Sequence, residues 1–515
     1  AKYPELKLNN DALLFQSKKH FLGLIFDKRL SWKTHIDAVV LRCKKKLNIL
    51  RCLTGTTWGS SSKSLLMVYR ALIRSLLDFG CEAYDSAAQS IKKSLDSIQY
   101  QALRICAGAL PLTSLDSLQV ELGEMPLDLR RQMLADRFRQ KIEMHRDHPV
   151  ILNVKPSWQM ELLKLQKNNK PFGCRTELMK HCTIEPYTIP SFPPWKINAP
   201  KVSIELSEIV NKHENPSYLR QRSLELISTK WPIQLHIYTD GSKVPSFGIS
   251  SASFYVPAFS FQQAKRLADH TSSFRAELAA IVLALNWLEN INVYVGIVIF
   301  CDSVSALLAI KDEKDITFVT EIITLSTKLS YQGKHIHLEW IPSHCGVHGN
   351  EMADFYAKSA LQNNIEICNK LSFSEIKSII TSKYIKLWQD RWNNSDRSLR
   401  HILPTVNQPY ECKLNRFEES ILHRLRIGVI GLNLDLFRLN IHSTGHCNNC
   451  IGRTETVNHF LTECPKYIIE RAMLLVETDL SHPQEIMTLL KLSEIVKQKA
   501  IVRFVLRTKR LYQNN

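Results

Sequence analysis

Four acidic residues in this chain sit where their chemistry could be shared. Asp240 closes the strand-like run Tyr238-Thr239-Asp240-Gly241-Ser242, and Glu277 lies in the first turns of an apolar helix, within Arg275-Ala276-Glu277-Leu278. Asp302 follows Ile297 to Cys301, the most apolar short run of the sequence, and Asp354 lies on a further helix, within Asn350-Glu351-Met352-Ala353-Asp354. Ligand sites in open α/β sheets collect at the carboxyl ends of strands. Carboxylates converging there repel one another unless a cation joins them, and hard oxygen ligands with open water positions suit Mg²⁺, with Mn²⁺ as a substitute. Two such ions about 4 Å apart stabilise both the attacking and the leaving oxygen of a phosphodiester. Any one of these acids could instead cap a helix, Asp302 before Ser303 being the clearest case. All four in this order make a constellation.

A second group is Cys447-x2-Cys450-x8-His459-x4-Cys464. This spacing supplies four thiolate or imidazole ligands to a tetrahedral Zn²⁺, and a short loop poor in apolar residues gains its order from such a metal. Four protein ligands leave no open position, so the site is expected to be structural. His442 and His446 lie nearby, and His446 is adjacent to Cys447 and fits worse. The chain's other cysteines, of thirteen in all, are irregularly spaced; an odd count without a pattern points to a reducing compartment.

The 515 residues carry 67 Lys and Arg against 49 Asp and Glu, a formal net charge of +18. With 44% hydrophobic and 23% charged residues the composition is globular, not disordered or collagenous. No apolar run approaches the roughly 18 residues of a membrane span. The first residues have no signal-peptide core and no initiator Met, so a fragment is expected. The positive balance suggests a polyanionic partner, nucleic acid first. Residues 231–365 hold nine Lys and Arg and twelve Asp and Glu, a net of −3, which leaves +21 to the flanks. The flanks are therefore expected to hold a nucleic-acid backbone, in a salt-dependent way.

The patterning divides the chain. Residues 1–150 read as helical. Ile91, Leu95, Ile98, Ala102 and Ile105 lay one apolar seam, ended by Gly108 and Pro111, and an earlier helix runs from about Ser64 to Phe79 with Gly80 as its cap. The basic crowd Arg42 to Arg51 is either a solvated helix face or a nucleic-acid contact. Residues 151–230 read as a Pro-containing linker, with some helix at about Tyr218 to Ile227. Residues 231–365 alternate strands and helices, β-β-β-α-β-α-β-α, a mixed α/β domain. A basic helical region (366–440), the cysteine cluster (441–470) and a C-terminal basic helix (471–515, the helix itself at about Pro483 to Tyr512) follow.

Residues 235–362 resemble a ribonuclease H domain of the retroelement type. The resemblance is carried by Tyr238-Thr239-Asp240-Gly241-Ser242, Ala276-Glu277-Leu278, Asp302-Ser303 and Asn350-Glu351-Met352-Ala353-Asp354. Trp340-Ile341-Pro342-Ser343-His344 matches the loop of that family's mobile histidine. It implies a mixed five-stranded sheet with flanking helices and two Mg²⁺ ions held by Asp240, Glu277, Asp302 and Asp354. It further implies in-line attack of water on the RNA strand of an RNA–DNA hybrid, leaving a 3′-hydroxyl and a 5′-phosphate, with His344 assisting proton transfer or product release. RNA would be told from DNA by its 2′-hydroxyls and groove shape. Two departures, Gly248-Ile249-Ser250-Ser251 in place of a denser glycine-alanine run and Val304 in place of a polar residue, bear on substrate contacts more than on the acids.

The N-terminal third resembles the region after the palm in non-LTR retrotransposon reverse transcriptases of the jockey and I-element type. The matching residues are Phe21-Leu22-Gly23-Leu24-Ile25-Phe26-Asp27, Leu30-Ser31-Trp32-Lys33, Leu77-Asp78-Phe79-Gly80, Leu118-x2-Glu121 and Pro126-Leu127-x-Leu129-Arg130-Arg131. In that family a ribonuclease H domain and a Cys-Cys-His-Cys zinc knuckle follow in this order. The resemblance implies a thumb-like region over 1–150 that grips template and primer, and action in the nucleus. The chain has no Asp-Asp pair of the kind a polymerase palm uses, so no polymerisation is expected, and the polymerase half would precede residue 1. The expected activity is hybrid-specific endoribonuclease. The rival readings are a catalytically idle RNA- or DNA-binding module and a degenerate genomic remnant.

Overall fold

The computed structural model describes residues 7–8, 11–12, 16–145 except 56, 148–150, 183–186 and 192–512, apart from 212–213, 293–295, 315, 365–369, 409–413 and 492–493. Much of the stretch expected to be a linker, residues 151–182 and 187–191, thus lies outside the described residues. These form two compact units. One gathers the described residues up to Phe138 and those from Ile380 onward; the other holds those from Arg139 to Ile379.

The second unit is built on one six-stranded sheet. Its elements are β1 (Lys201–Ser203), α1 (Pro216–Lys230), β2 (Leu235–Val244), β3 (Ile249–Val256), β4 (Phe261–Arg266), α2 (Ser273–Glu289), β5 (Ile297–Cys301), α3 (Val304–Lys311), α4 (Thr317–Tyr331), β6 (Ile336–Trp340) and α5 (His348–Ala360). The strand order is β1-β6-β5-β2-β3-β4. Strands β1, β6, β5 and β2 run parallel, and the β2-β3-β4 meander is antiparallel. The sheet has six strands where five were expected. The sixth, β1, comes from the proline-containing stretch, where three residues are too few to show a period. One helix was expected after Ser303; the structure has two, α3 and α4.

The core follows from the patterning. All five residues of β5 are buried, as suits a central strand covered on both faces. Twelve residues of α2 are buried, so this helix lies deep against the sheet. Two of the three serines in β3 are explained by packing. Ser253 and Ser251 donate their hydroxyls to the carbonyls of Ala353 and Ala357, each at 2.5 Å, and so seat α5 on the sheet.

In the first unit the N-terminal and C-terminal flanks build a shared interior. Arg416, 5% exposed, donates to the carbonyls of Cys106 (2.5 Å) and Ile105 (2.7 Å), acceptors left over at the end of the helix Gln89–Ala107. Glu121 is buried, and His423 Nδ1 and Arg426 Nη1 lie 2.8 and 3.2 Å from its carboxylate. The resemblance motifs of the N-terminal third meet one another. Arg130 forms a bidentate pair with Asp78 at 2.7 and 2.6 Å, and the Asp27 carboxylate accepts from the backbone of Arg29, Ser31 and Trp32 at the start of the helix Lys33–Leu53.

The C-terminal basic helix is not continuous. Helices Ile486–Leu489 and Ile495–Arg507 are separate, and Lys509, left-handed at φ 50°, precedes a last short turn. Two of its cations are committed to ion pairs, Arg507 with Glu477 (2.7 Å) and Arg510, buried, with Glu455 (2.6 Å).

Candidate nuclease centre

The sheet register brings the first and third acids together. Thr239 pairs with Cys301 at the last rung of the parallel β2–β5 ladder, so Asp240 and Asp302 follow side by side. Asp302 leaves the end of β5, whereas Asp240, expected to end its strand, lies inside β2, which runs on to Val244 in its pairing with β3. The helix cap after β5 falls to Ser303, whose hydroxyl accepts from the Ala306 N–H, and Asp302 is left for other work. The Trp340 indole N–H donates to the Asp302 carbonyl at 2.9 Å and fixes that turn. Glu277 arrives on α2, which can approach β2 closely because Gly241 has no side chain: a Cβ there would lie 2.5 Å from the Glu277 nitrogen. The Gly241 N–H in turn donates to the Glu277 carboxylate.

Carboxylate oxygens of Asp240, Glu277 and Asp302 all lie within 4.8 Å of one another. Asp240 and Glu277 are 7% and 8% exposed, too buried to be ionised beside each other without compensation. Burial, then the charges of Asp302 and Asp354, push the Asp240 carboxyl up to about 8. Glu277 is raised well above the usual range by burial and by Asp302 and Asp240. Asp302 is raised to about 6, chiefly by burial, while a hydrogen bond from Asn350 and the nearby His344 oppose the rise. One oxygen of Glu277, Oε2, is buried without a hydrogen-bond partner. An all-oxygen donor set, an unpartnered acceptor and mutual repulsion are what a hard divalent cation would relieve.

Asp354 is set slightly apart. It lies within 4.8 Å of His344 and Glu351, and Lys358 holds its carboxylate at 2.6 Å. His344 is exposed in the β6–α5 loop. The structure thus brings three of the expected acids into one cluster, with the fourth joined to the histidine beside it. Trp340, Asn350, Glu351 and Arg275 were not singled out as site residues from the sequence. Each carried a signal only through the motif that contains it.

In the other unit, a sulfur or nitrogen of each of Cys447, Cys450, His459 and Cys464 lies within 4.8 Å of the rest. The Cys447–Cys464 and Cys450–Cys464 sulfurs are 3.8 and 3.9 Å apart. Tetrahedral zinc with its usual bonds to sulfur gives an S–S edge of about 3.8 Å. His459 Nε2 is buried without a partner, while Nδ1 faces Glu463 Oε2 at 3.3 Å. That is the arrangement of a ligating imidazole oriented by a carboxylate. The donor set and its spacing fit zinc.

The RNase H family model matches residues 232–362. Residues 232–362 are a ribonuclease H domain. The chain is also similar, at 26% identity over 140 residues, to the Putative 115 kDa protein in type-1 retrotransposable element R1DM of Drosophila melanogaster. It is 25% identical over 150 residues to the Retrovirus-related Pol polyprotein from type-1 retrotransposable element R1 of Bradysia coprophila. Each alignment covers 27% of this chain and 14% of the relative, so the chain matches a small part of those proteins' length. The ribonuclease H domain thus sits in a chain related to non-LTR retrotransposon polyproteins. Among the described residues no helix is long and apolar enough to cross a membrane.

Proposed function

We propose that the ribonuclease H domain hydrolyses the RNA strand of RNA–DNA hybrids, with Asp240, Glu277, Asp302 and Asp354 as its catalytic acids. The observation that carries this reading is the cluster of buried Asp240 and Glu277 with half-buried Asp302, which burial and mutual repulsion leave short of positive charge. These acids and Asp354 would hold two Mg²⁺ ions, or Mn²⁺, which when bound supply Lewis acidity and an activated water nucleophile. The protein's own contribution is placement. Trp340 and Asn350 hold Asp302, Gly241 holds Glu277, and α5, seated by Ser251 and Ser253, carries Asp354. His344, exposed and beside Asp354, is placed to pass a proton at the leaving 3′-oxygen or to help release product.

The basic flanks bind the nucleic-acid backbone in this reading, and a polymerase segment of the same polyprotein supplies the hybrid in the nucleus. Cys447, Cys450, His459 and Cys464 hold a structural zinc. Purified chain is expected to contain one zinc per molecule. Cys464→Ser or a strong chelator should remove the metal and open residues 441–470 to protease. A zinc-free chain that resists protease as well as the untreated one excludes the site.

Labelled hybrid, RNA duplex and DNA duplex offered to the full chain in Mg²⁺ test the nuclease reading. Cleavage of the RNA strand of the hybrid alone, leaving 5′-phosphates and lost in Asp240→Asn, is the expected result. Binding of the hybrid without cleavage by either protein would instead favour an idle binding module.

A further inference from the structure

The nuclease reading gives His344 a task but gives no residue the job of holding it. We propose that Glu351 is that positioning residue, and the inference rests on the nuclease reading. The loop between β6 and α5 is anchored by two buried side chains, Cys345 (5% exposed) and Val347 (3%). The residues alternating with them take left-handed backbone, His344 at φ 49° and Gly346 at φ 83°. A histidine in that region keeps it only where its surroundings enforce it. The Glu351 side chain supplies the enforcement. Its Oε1 accepts the Gly346 N–H at 3.0 Å, a bond that ties the loop to the first turn of α5.

The same carboxylate faces the imidazole. A ring nitrogen of His344 and carboxylate oxygens of Glu351 and Asp354 lie within 4.8 Å of one another. Lys358 takes up Asp354 at 2.6 Å, which leaves Glu351 as the acid bonded to the loop itself. An acid in the first turn of a helix also favours the helix dipole. That effect needs no bond to Gly346 and no histidine opposite, so it does not account for the arrangement. Glu351 therefore fixes where His344 stands relative to Asp354, and it acts through His344 without touching substrate.

A double-mutant cycle tests this on the full chain with hybrid in Mg²⁺. Glu351→Ala is expected to lower turnover about 10-fold, with KM unchanged, and His344→Ala is expected to do the same. Added to His344→Ala it should cost less than about 2-fold, because the two act as one unit. Glu351→Gln keeps an acceptor for Gly346 and should stay within about 3-fold of the parent. A role in helix stability alone would leave the losses additive and would lower the melting temperature of the Gln and Ala variants alike. Additive losses, a Gln variant as impaired as Ala, or an unimpaired Ala variant each overturn the inference while the parent still cuts. A parent chain that does not cut removes the nuclease reading and the inference together.

Discussion

Asp240→Asn is expected to abolish hybrid cleavage and, in the same molecule, to raise the melting temperature of the metal-free protein above pH 6. The two effects have one cause. Asp240 and Glu277 are buried beside a half-buried Asp302, and each ionised carboxylate raises the cost of the next. Asp240 is pushed up to about 8 from an ordinary 3.8. The folded protein therefore keeps a proton that the unfolded chain has already released. Stability is then full below about pH 4 and is lost as pH rises through 8. Asparagine has no proton to lose, so the variant's advantage should grow across that window and vanish near pH 4. Mg²⁺ narrows the difference. At 100 times its dissociation constant a ligand bound only to the folded state adds about 2.7 kcal/mol, and the parent should gain this while the variant gains far less. Loss of several kcal/mol of transition-state stabilisation corresponds to a fall in turnover of about 10³-fold or more. Melting curves at pH 4.5, 6 and 8, with and without Mg²⁺, check all of it. A variant less stable than the parent at pH 8 without metal would show that the acids are not crowded as described.

Much of the ribonuclease H domain was legible in the sequence because its strands and helices have strong periods. β5 is a continuous apolar run, and α2 repeats apolar residues at helical spacing, so the places of Asp302 and Glu277 follow from the pattern alone. Asp302 followed because it ends an element, whereas Asp240 lies inside β2, which runs on past it to Val244 in its pairing with β3. The remainder was hidden for physical reasons. β1 is three residues long and gains its place from the edge of β6 rather than from a pattern of its own. Ser251 of β3 belongs to a departure read as bearing on substrate contacts, yet its hydroxyl, like that of Ser253, is spent on a carbonyl of α5. Arg416 meets Cys106, and Arg426 meets Glu121, across about 300 residues of sequence in one buried interior, pairings that no local signal announces. Two of the C-terminal cations are held by acids distant in the sequence, Arg507 by Glu477 and Arg510 by Glu455, which their sequence neighbours do not announce.

Arg275 shows how far the scaffold of the nuclease centre reaches beyond the family match, and its loss should be among the most damaging changes in the second unit. It lies two residues before Glu277 on α2 and is 3% exposed. Its guanidinium pairs with Glu375 at 2.9 Å and Glu185 at 2.7 Å and stacks 4.5 Å from the centre of the Phe318 ring. Both acids lie outside residues 232–362. Glu375 also accepts from the Ser272 N–H (2.6 Å), at the cap of α2, and from the Ser372 N–H and hydroxyl (each 2.9 Å). One carboxylate thus holds the start of the helix that delivers Glu277. Glu375→Ala would strip three donors and leave a buried guanidinium with Glu185 as its one carboxylate partner. Breaking such a pair from one side costs about 3–5 kcal/mol, because the remaining charge stays buried. Glu375→Gln keeps acceptors for Ser272 and Ser372 and should cost less. The loss should be readable as lower urea resistance and as faster amide exchange over residues 273–277, and cleavage should fall with it because Glu277 is no longer held against Gly241. An alanine variant that melts with the parent and exchanges no faster there would mean that α2 is seated by its apolar face alone.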